Sequence, residues 1–402
     1  EVDLQPIGYA PAQDNPLGDK PPPAAAGPWT ALRTPVPKRN STSFPGFGFD
    51  NDPRRPNGYV SLHRGSYAGL YEGGRDFWNQ TFPAGLRWNA TPGERHGFNL
   101  SVFNASGWPE SFRQKPLLHA MHHSEWGNHV WEVDALDTPK RTFTLGRGGW
   151  QEARYIAIAN NPFYVEGAKA ALDTPGEWYH DEAEKTLYLI PNATIPQNTH
   201  SLVLHVSIPQ LTTLVNVSGT PDDPVRHVSF EGITFTHTRR TLLDAYVVPS
   251  AGDWSVRGSG ALTVSMASDV SIDGCAFNRT GGSAVVLRGG VLRASVARSD
   301  FELLGDSGVV LIGELPGLGN NGSDAVWPRR NGSDEFFPTY PRDTTIVSNH
   351  FHGLGVWQKQ SAALFQALSC RTNFSSNVAY NGPRAAININ DGFCGSLRLE
   401  SN

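Results

Sequence analysis

The chain has 402 residues, a formal net charge of -5, a pI near 6.2 and three cysteines. That length admits one large domain or two to three ordinary ones. No Lys/Arg block offers a nucleic-acid footprint or a polybasic membrane contact, no stretch approaches the roughly 18 apolar residues of a membrane span, and three cysteines cannot build a disulfide framework.

Residues 1–60 are punctuated by Pro, Gly and Asn, as in Lys20-Pro-Pro-Pro-Ala-Ala-Ala-Gly-Pro28. Such a segment buries little and reads as extended chain lying over another surface. Residues 61–224 are rich in aromatics, with short β-type runs at Asn128–Val133 and Thr142–Leu145. Pro175–Tyr179 and Lys185–Pro191 then predict a β-hairpin whose polar turn is Asp181–Lys185. This portion reads as a β-rich, loop-heavy elaboration.

Over residues 225–402 one pattern recurs: a β-branched run, an aromatic anchor, a Gly-containing polar turn and a second apolar strand. Its copies are Val228–Phe235, Val270–Phe277, Val296–Phe301 and Ile346–Phe351. The anchors Phe235, Phe277, Phe301 and Phe351 lie 42, 24 and 50 residues apart. A base period of 24 residues leaves two excesses, which match the polar insertions Arg239–Trp254 and Leu315–Pro341. The second strands begin at Ser283, Ser307, Ser361 and Arg384, with Gly281, Gly282, Gly305, Gly308 and Gly382 at the corners between. Strand-length pieces at a constant interval, in a constant order of residue types, predict a solenoid of parallel coils about 4.8 Å apart rather than an antiparallel sandwich. The fold class is therefore all-β, a parallel β-helix.

N-glycosylation sequons occur at Asn40, Asn79, Asn89, Asn99, Asn104, Asn192, Asn216, Asn278, Asn321, Asn331 and Asn373, roughly three times the number that chance would place. They point to a secreted protein, and the chain opens without a signal-peptide pattern, as a processed or partial chain would. Cys370 and Cys394 are 24 residues apart. One coil of separation would bring them within disulfide range, the alternative being that all three cysteines are buried small hydrophobes.

The runs Gly149–Arg154, Phe163–Gly167, Leu172–Asp181, Thr186–Pro191 and Gly382–Gly392 resemble the right-handed parallel β-helix proteins of the pectate-lyase-like superfamily, closest to the secreted group that includes the family 141 glycoside hydrolases, and so imply a right-handed coil. The resemblance spans most of residues 110–402. It implies a carbohydrate-active protein acting on an extracellular polysaccharide, and further coils beyond both ends. A final strand at residues 397–402 should accordingly pair in parallel with 372–378, its far edge capped by a separate C-terminal segment or a neighbouring subunit.

For the chemistry, aligning the second strands places Glu314 and Asp391 at equivalent coil positions, with Gln366 or Ala367 between. Two coils separate them by about 9.5 Å, near the upper limit for a carboxylate pair in inverting glycoside hydrolysis. Asp306, at a corner of the same coil as Glu314, is a second candidate acid, and Asn388 and Asn390 complete a polar strand end. In Leu118–His129 the histidine spacing matches no zinc motif. His123 and Trp126 are instead candidates for a sugar-binding surface. No cofactor or metal is implied. The alternative function is a non-catalytic structural glycoprotein of an extracellular matrix or surface filament, built by self-assembly of stiff coils.

Overall fold

The computed structural model describes residues 2–3, 64–65, 67–72, 97–99, 112, 114–121, 128–137, 142–148, 162–171, 177–190, 206–244, 256–313, 339–389 and 395–402. They fall into two compact units, 1–208 and 209–402. The boundary precedes the expected position 225, because the first coil strand is already Val215–Ser218.

In the first unit a six-stranded antiparallel sheet runs in the order Tyr67–Glu72, Pro162–Glu166, Leu117–Met121, Asn128–Asp137, Thr142–Gly148 and Gly97–Asn99. The predicted hairpin forms from Glu177–Asp181 and Thr186–Leu189. Its turn closes because the Asp181 carboxylate accepts the Ala183 and Glu184 amides at 3.1 and 3.0 Å, as short polar turn side chains do.

The second unit is a parallel β-helix of three ladders, every strand pair in them parallel. The first ladder is Val215–Ser218, Gly260–Ser265, Ser283–Arg288, Val309–Ile312, Leu364–Ala367 and Ile387–Ile389. The second is Val225–Glu231, Ala267–Asp273, Ser295–Ala297, Arg342–Val347, Cys370–Ser375 and Arg398–Glu400. The third is Thr234–Thr236, Ala276–Asn278, Asp300–Glu302, His350–His352 and Val378–Tyr380. The expected final strand is present, with Asn373 opposite Arg398 and Phe374 opposite Leu399.

Three side-chain columns fix the register. The four anchors stack inside the coil: Phe235 on Phe277 at 4.8 Å, Phe277 on Phe301 at 5.0 Å and Phe301 on Phe351 at 4.5 Å between ring centroids. At the corner between the second and third ladders each coil turns through a left-handed residue, namely Gly232, Gly274, Arg298, Ser348, Ser376 and Ser401. That conformation costs an L-residue roughly 1–2 kcal/mol. The following asparagines offset the cost: the Ser299 amide donates to Asn349, that of Asn349 to Asn377, and that of Asn377 to Asn402, at 2.9–3.0 Å. On the second ladder a further left-handed column alternates in charge, with Arg293 chelating Asp269 at 2.6 and 2.7 Å and Arg371 chelating Asp343 at 2.5 and 2.7 Å.

The corner glycines are needed for close approach rather than for a positive φ. Gly281, Gly282, Gly305 and Gly308 are not among the positive-φ glycines. They are required by closeness: a Cβ on Gly305 would lie 2.4 Å from the Gly281 carbonyl oxygen, and one on Gly308 2.7 Å from the Phe351 ring.

Candidate functional site

The outer face of each ladder decides where chemistry is available. On the first ladder, strand alternation sends Leu262, Val264, Val285, Leu287, Val309, Leu311 and Leu364 into the coil. The opposite side is also buried, because Val286, Val310, Ile312, Phe365 and Ala367 pack with Val256 in a separate apolar cluster. This is why its strands read as continuous apolar runs.

That arrangement corrects one expected site residue. Gln366 pairs with Leu311 and Ile389 rather than with Glu314 and Asp391, so it stands in the inward column and is 1% exposed. The apolar quartets Val309–Ile312 and Leu364–Ala367 set this register, and it takes Gln366 away from any substrate surface. Asn388 is half-buried beside Phe365. Glu314, Asn390, Asp391, His123 and Trp126 lie outside the described residues.

Asp306 is 2% exposed and is bound by Arg257 at 3.0 Å and by the Ser307 hydroxyl at 3.2 Å. Arg257 also donates to the Leu242 carbonyl at 2.6 Å. Burial pushes the Asp306 carboxyl up to about 6 despite the opposing Arg257 charge. Nearby, Lys359 donates to the carbonyls of Gly355 and Val356 at 2.9 Å, and burial pushes its ammonium down to about 7. This corner is a buried polar joint in which the Asp306 carboxylate is already held by Arg257 and Ser307.

Of the His-rich segment, His119 is buried, with Nε2 3.4 Å from a Glu166 carboxylate oxygen and Nδ1 3.4 Å from the Asn128 amide. Cys370 is disulfide-bonded and Cys275 is free. Cys394, the expected partner of Cys370, lies outside the described residues.

The third ladder presents a different face. Each of its strands is three residues long, and the central anchor points inward, so its two neighbours point outward. In successive coils these flanking pairs are Thr234 and Thr236, Ala276 and Asn278, Asp300 and Glu302, His350 and His352, Val378 and Tyr380. Register sets Asp300 opposite His350 and Glu302 opposite His352.

Here the reactive groups meet. His350 Nδ1 is 2.7 Å from Asp300 Oδ1, and His352 Nε2 is 3.7 Å from the same oxygen. His352 Nδ1 lies 3.9 Å from Glu302 Oε1, and Glu302 Oε2 accepts the Asn278 amide at 2.9 Å. Tyr380 stacks on His352 with ring centroids 5.4 Å apart and planes within 7°. Burial pushes the Asp300 acid upward, but hydrogen bonds from His352 and His350, with their positive charge, outweigh it and hold the group below its ordinary range. Asp300 is thereby kept as the carboxylate. Its side chain is 47% exposed and that of Glu302 30%, while His352 is 5% exposed.

Sequence reasoning passed over all four residues. The signal was present: the anchors carry Asp300-Phe-Glu302 and His350-Phe-His352 where the two earlier coils carry Thr234-Phe-Thr236 and Ala276-Phe-Asn278. Flanking positions of an inward anchor face outward, so a change there from small uncharged residues to carboxylates and imidazoles is a change in surface chemistry.

No protein-family profile matches the chain, and no curated protein matches it in sequence. Among solved structures it is similar to a chain described as a glycoside hydrolase, at 20% identity and a TM-score of 0.49, covering 66% of this chain and 50% of that one. The chain thus spans about half the length of that structure. The three parallel ladders themselves define it as a parallel β-helix protein. Among the described residues no helix is long and apolar enough to cross a membrane.

Proposed function

We propose that the chain is a secreted, glycosylated, carbohydrate-active β-helix protein of glycoside-hydrolase type, working on an extracellular polysaccharide at the outer face of the third ladder. The observation that carries this reading is the convergence of Asp300, Glu302, His350 and His352 on one face, set in adjacent coils over a rigid phenyl stack. Asp300 and Glu302 leave the same side of one strand, with Cα atoms about 6.6 Å apart. That spacing puts the two carboxyl groups within reach of the inverting range.

In this scheme Asp300, ionised and oriented by the imidazoles, takes a proton from a water as the water oxygen bonds to the anomeric carbon. The glycosidic C–O bond breaks on the opposite side, and Glu302, in the role of general acid, gives a proton to the departing oxygen. Tyr380, with His352 stacked beneath it, offers an apolar ring face on which a sugar could rest. The excess of sequons supports the secretory setting.

The test is reducing-end release from a panel of extracellular polysaccharides by the wild type and by Asp300→Asn, Glu302→Gln and Asp391→Asn. The reading expects turnover to fall at least about 100-fold in the first two and to persist in the third. Loss in Asp391→Asn alone would return the chemistry to the Glu314 and Asp391 strand ends. Absence of turnover by the wild type on every substrate would favour the structural glycoprotein, for which the phenyl and asparagine columns provide a stiff shaft.

A further inference from the structure

We propose that Asp300, His350 and His352 form a binding site for a divalent transition metal of the zinc type. One ligand atom from each lies within 4.8 Å of the others. A tetrahedral zinc with bonds of about 2.0–2.1 Å sets its ligand atoms about 3.3 Å apart. The separations of 2.7 Å from His350 to Asp300 and 3.7 Å from His352 to Asp300 bracket that value. Rotation about the side-chain torsions would convert the hydrogen-bonded arrangement into a chelating one. Two imidazoles and one carboxylate select zinc and its neighbours over calcium or magnesium, which take oxygen ligands.

A second observation, independent of the cluster's shape, points the same way. His352 is 5% exposed, yet its Nδ1 is buried with no hydrogen-bond partner. A buried imidazole nitrogen left so is costly. If Nε2 binds the ion, Nδ1 becomes the N–H that a supporting carboxylate accepts, and Glu302 Oε1 stands 3.9 Å away. A carboxylate behind a ligating histidine is the usual support of such sites. The backbone is already in place, because Asp300 and His350 are directly paired on adjacent coils, with Phe301 and Phe351 stacked beneath them. Three protein ligands leave a fourth position for water or a substrate oxygen. The inference rests on the hydrolytic reading only in sharing its face.

Binding is measured without substrate. The full chain, stripped with chelator and dialysed, is titrated with Zn²⁺ by calorimetry and with Co²⁺ by visible absorption. We expect one ion per chain and the ligand-field bands of a low-coordinate cobalt centre. Asp300→Asn and His350→Ala, both on partly exposed residues, should weaken zinc by more than the roughly 10–100-fold typical of losing a supporting partner, and Glu302→Gln should fall within that range. Far-UV circular dichroism shows that each variant is folded, and if His352→Ala is not, the other two decide. Failure of the wild type to bind stoichiometrically, or wild-type affinity in Asp300→Asn and His350→Ala, overturns the site. Hydrolysis by protein that takes up no metal overturns the metal alone, whereas stoichiometric binding without turnover on any polysaccharide overturns the hydrolytic reading alone.

Discussion

Phe301→Ala tests the link between the solenoid core and the site it carries. Phe301 is fully buried, and its ring stacks between Phe277 at 5.0 Å and Phe351 at 4.5 Å. Truncating a core phenylalanine costs about 3–5 kcal/mol, the sum of lost transfer energy and the cavity left behind. Two ring stacks, each worth about 0.5–1.5 kcal/mol beyond burial, place this one toward the upper end, near 5 kcal/mol. The backbone cannot close the gap, because ladders on both sides hold the coil at a fixed rise. Urea unfolding followed by tryptophan fluorescence measures the loss, with Phe230→Ala as the control. Phe230 is only half-buried and meets Phe235 edge-on at 6.1 Å, so its truncation should cost less than half as much. Because Phe301 separates Asp300 from Glu302, the variant should also weaken zinc under conditions where it remains folded. A loss below about 1.5 kcal/mol, well under the range for core phenylalanines, or no difference from Phe230→Ala, would refute the view that this column holds the coils in register.

Two further outcomes follow from placement. Asp306, raised to about 6 by burial, is protonated in the folded chain over a range where an unfolded aspartate, near 3.9, is already ionised. Its contribution to stability is therefore complete below about pH 4 and lost as pH rises through about 6. Relative to Asp306→Asn, the wild type should lose on the order of 1–3 kcal/mol between pH 4 and pH 7 in denaturant titrations, and parallel pH profiles would sink the assignment. Among the sequons, Asn216 is exposed on its strand, whereas the Asn278 amide donates to Glu302 and its oxygen accepts from Arg279. Glycopeptide mass spectrometry of secreted protein should find Asn216 occupied and Asn278 bare, and a full glycan on Asn278 would argue that the Glu302 face is not a working site.

The spacing of phenylalanines made the solenoid legible, because a stacked interior repeats residue types at the coil period and insertions only add to the interval. The same logic placed the last strand, since Asn373–Asn377 and Arg398–Asn402 share a pattern and Asn377 and Asn402 prove to be consecutive members of the asparagine column. The Glu314–Gln366–Asp391 alignment, by contrast, counted residues from strand starts. Register is set by the apolar quartets, and a shift by an odd number of residues changes which face a side chain occupies. That is how Gln366 came to be read as surface when it stands in the core. The third-ladder site escaped for another reason: Asp300 and His350 are 50 residues apart in sequence, separated by an insertion, yet directly opposed in the ladder.

The three ladders also differ in what each leaves free. The middle strands of the first are buried on both faces, and the acid at their corner, Asp306, is paired with Arg257. The outer surface of the second carries the Asp269–Arg293 and Asp343–Arg371 chelates, which occupy their own carboxylates. Arg293 holds the Asp269 acid down at about 2, leaving it a poor proton acceptor near neutrality. Only on the third ladder, among the described residues, are two partly exposed carboxylates held by imidazoles instead of guanidinium groups. Imidazole exchanges protons near neutrality and binds transition metals, whereas guanidinium does neither. The same stacking rule that builds the shaft thus gives three faces, one for packing, one for charge pairing, and one whose groups remain available to a water, an ion or a sugar.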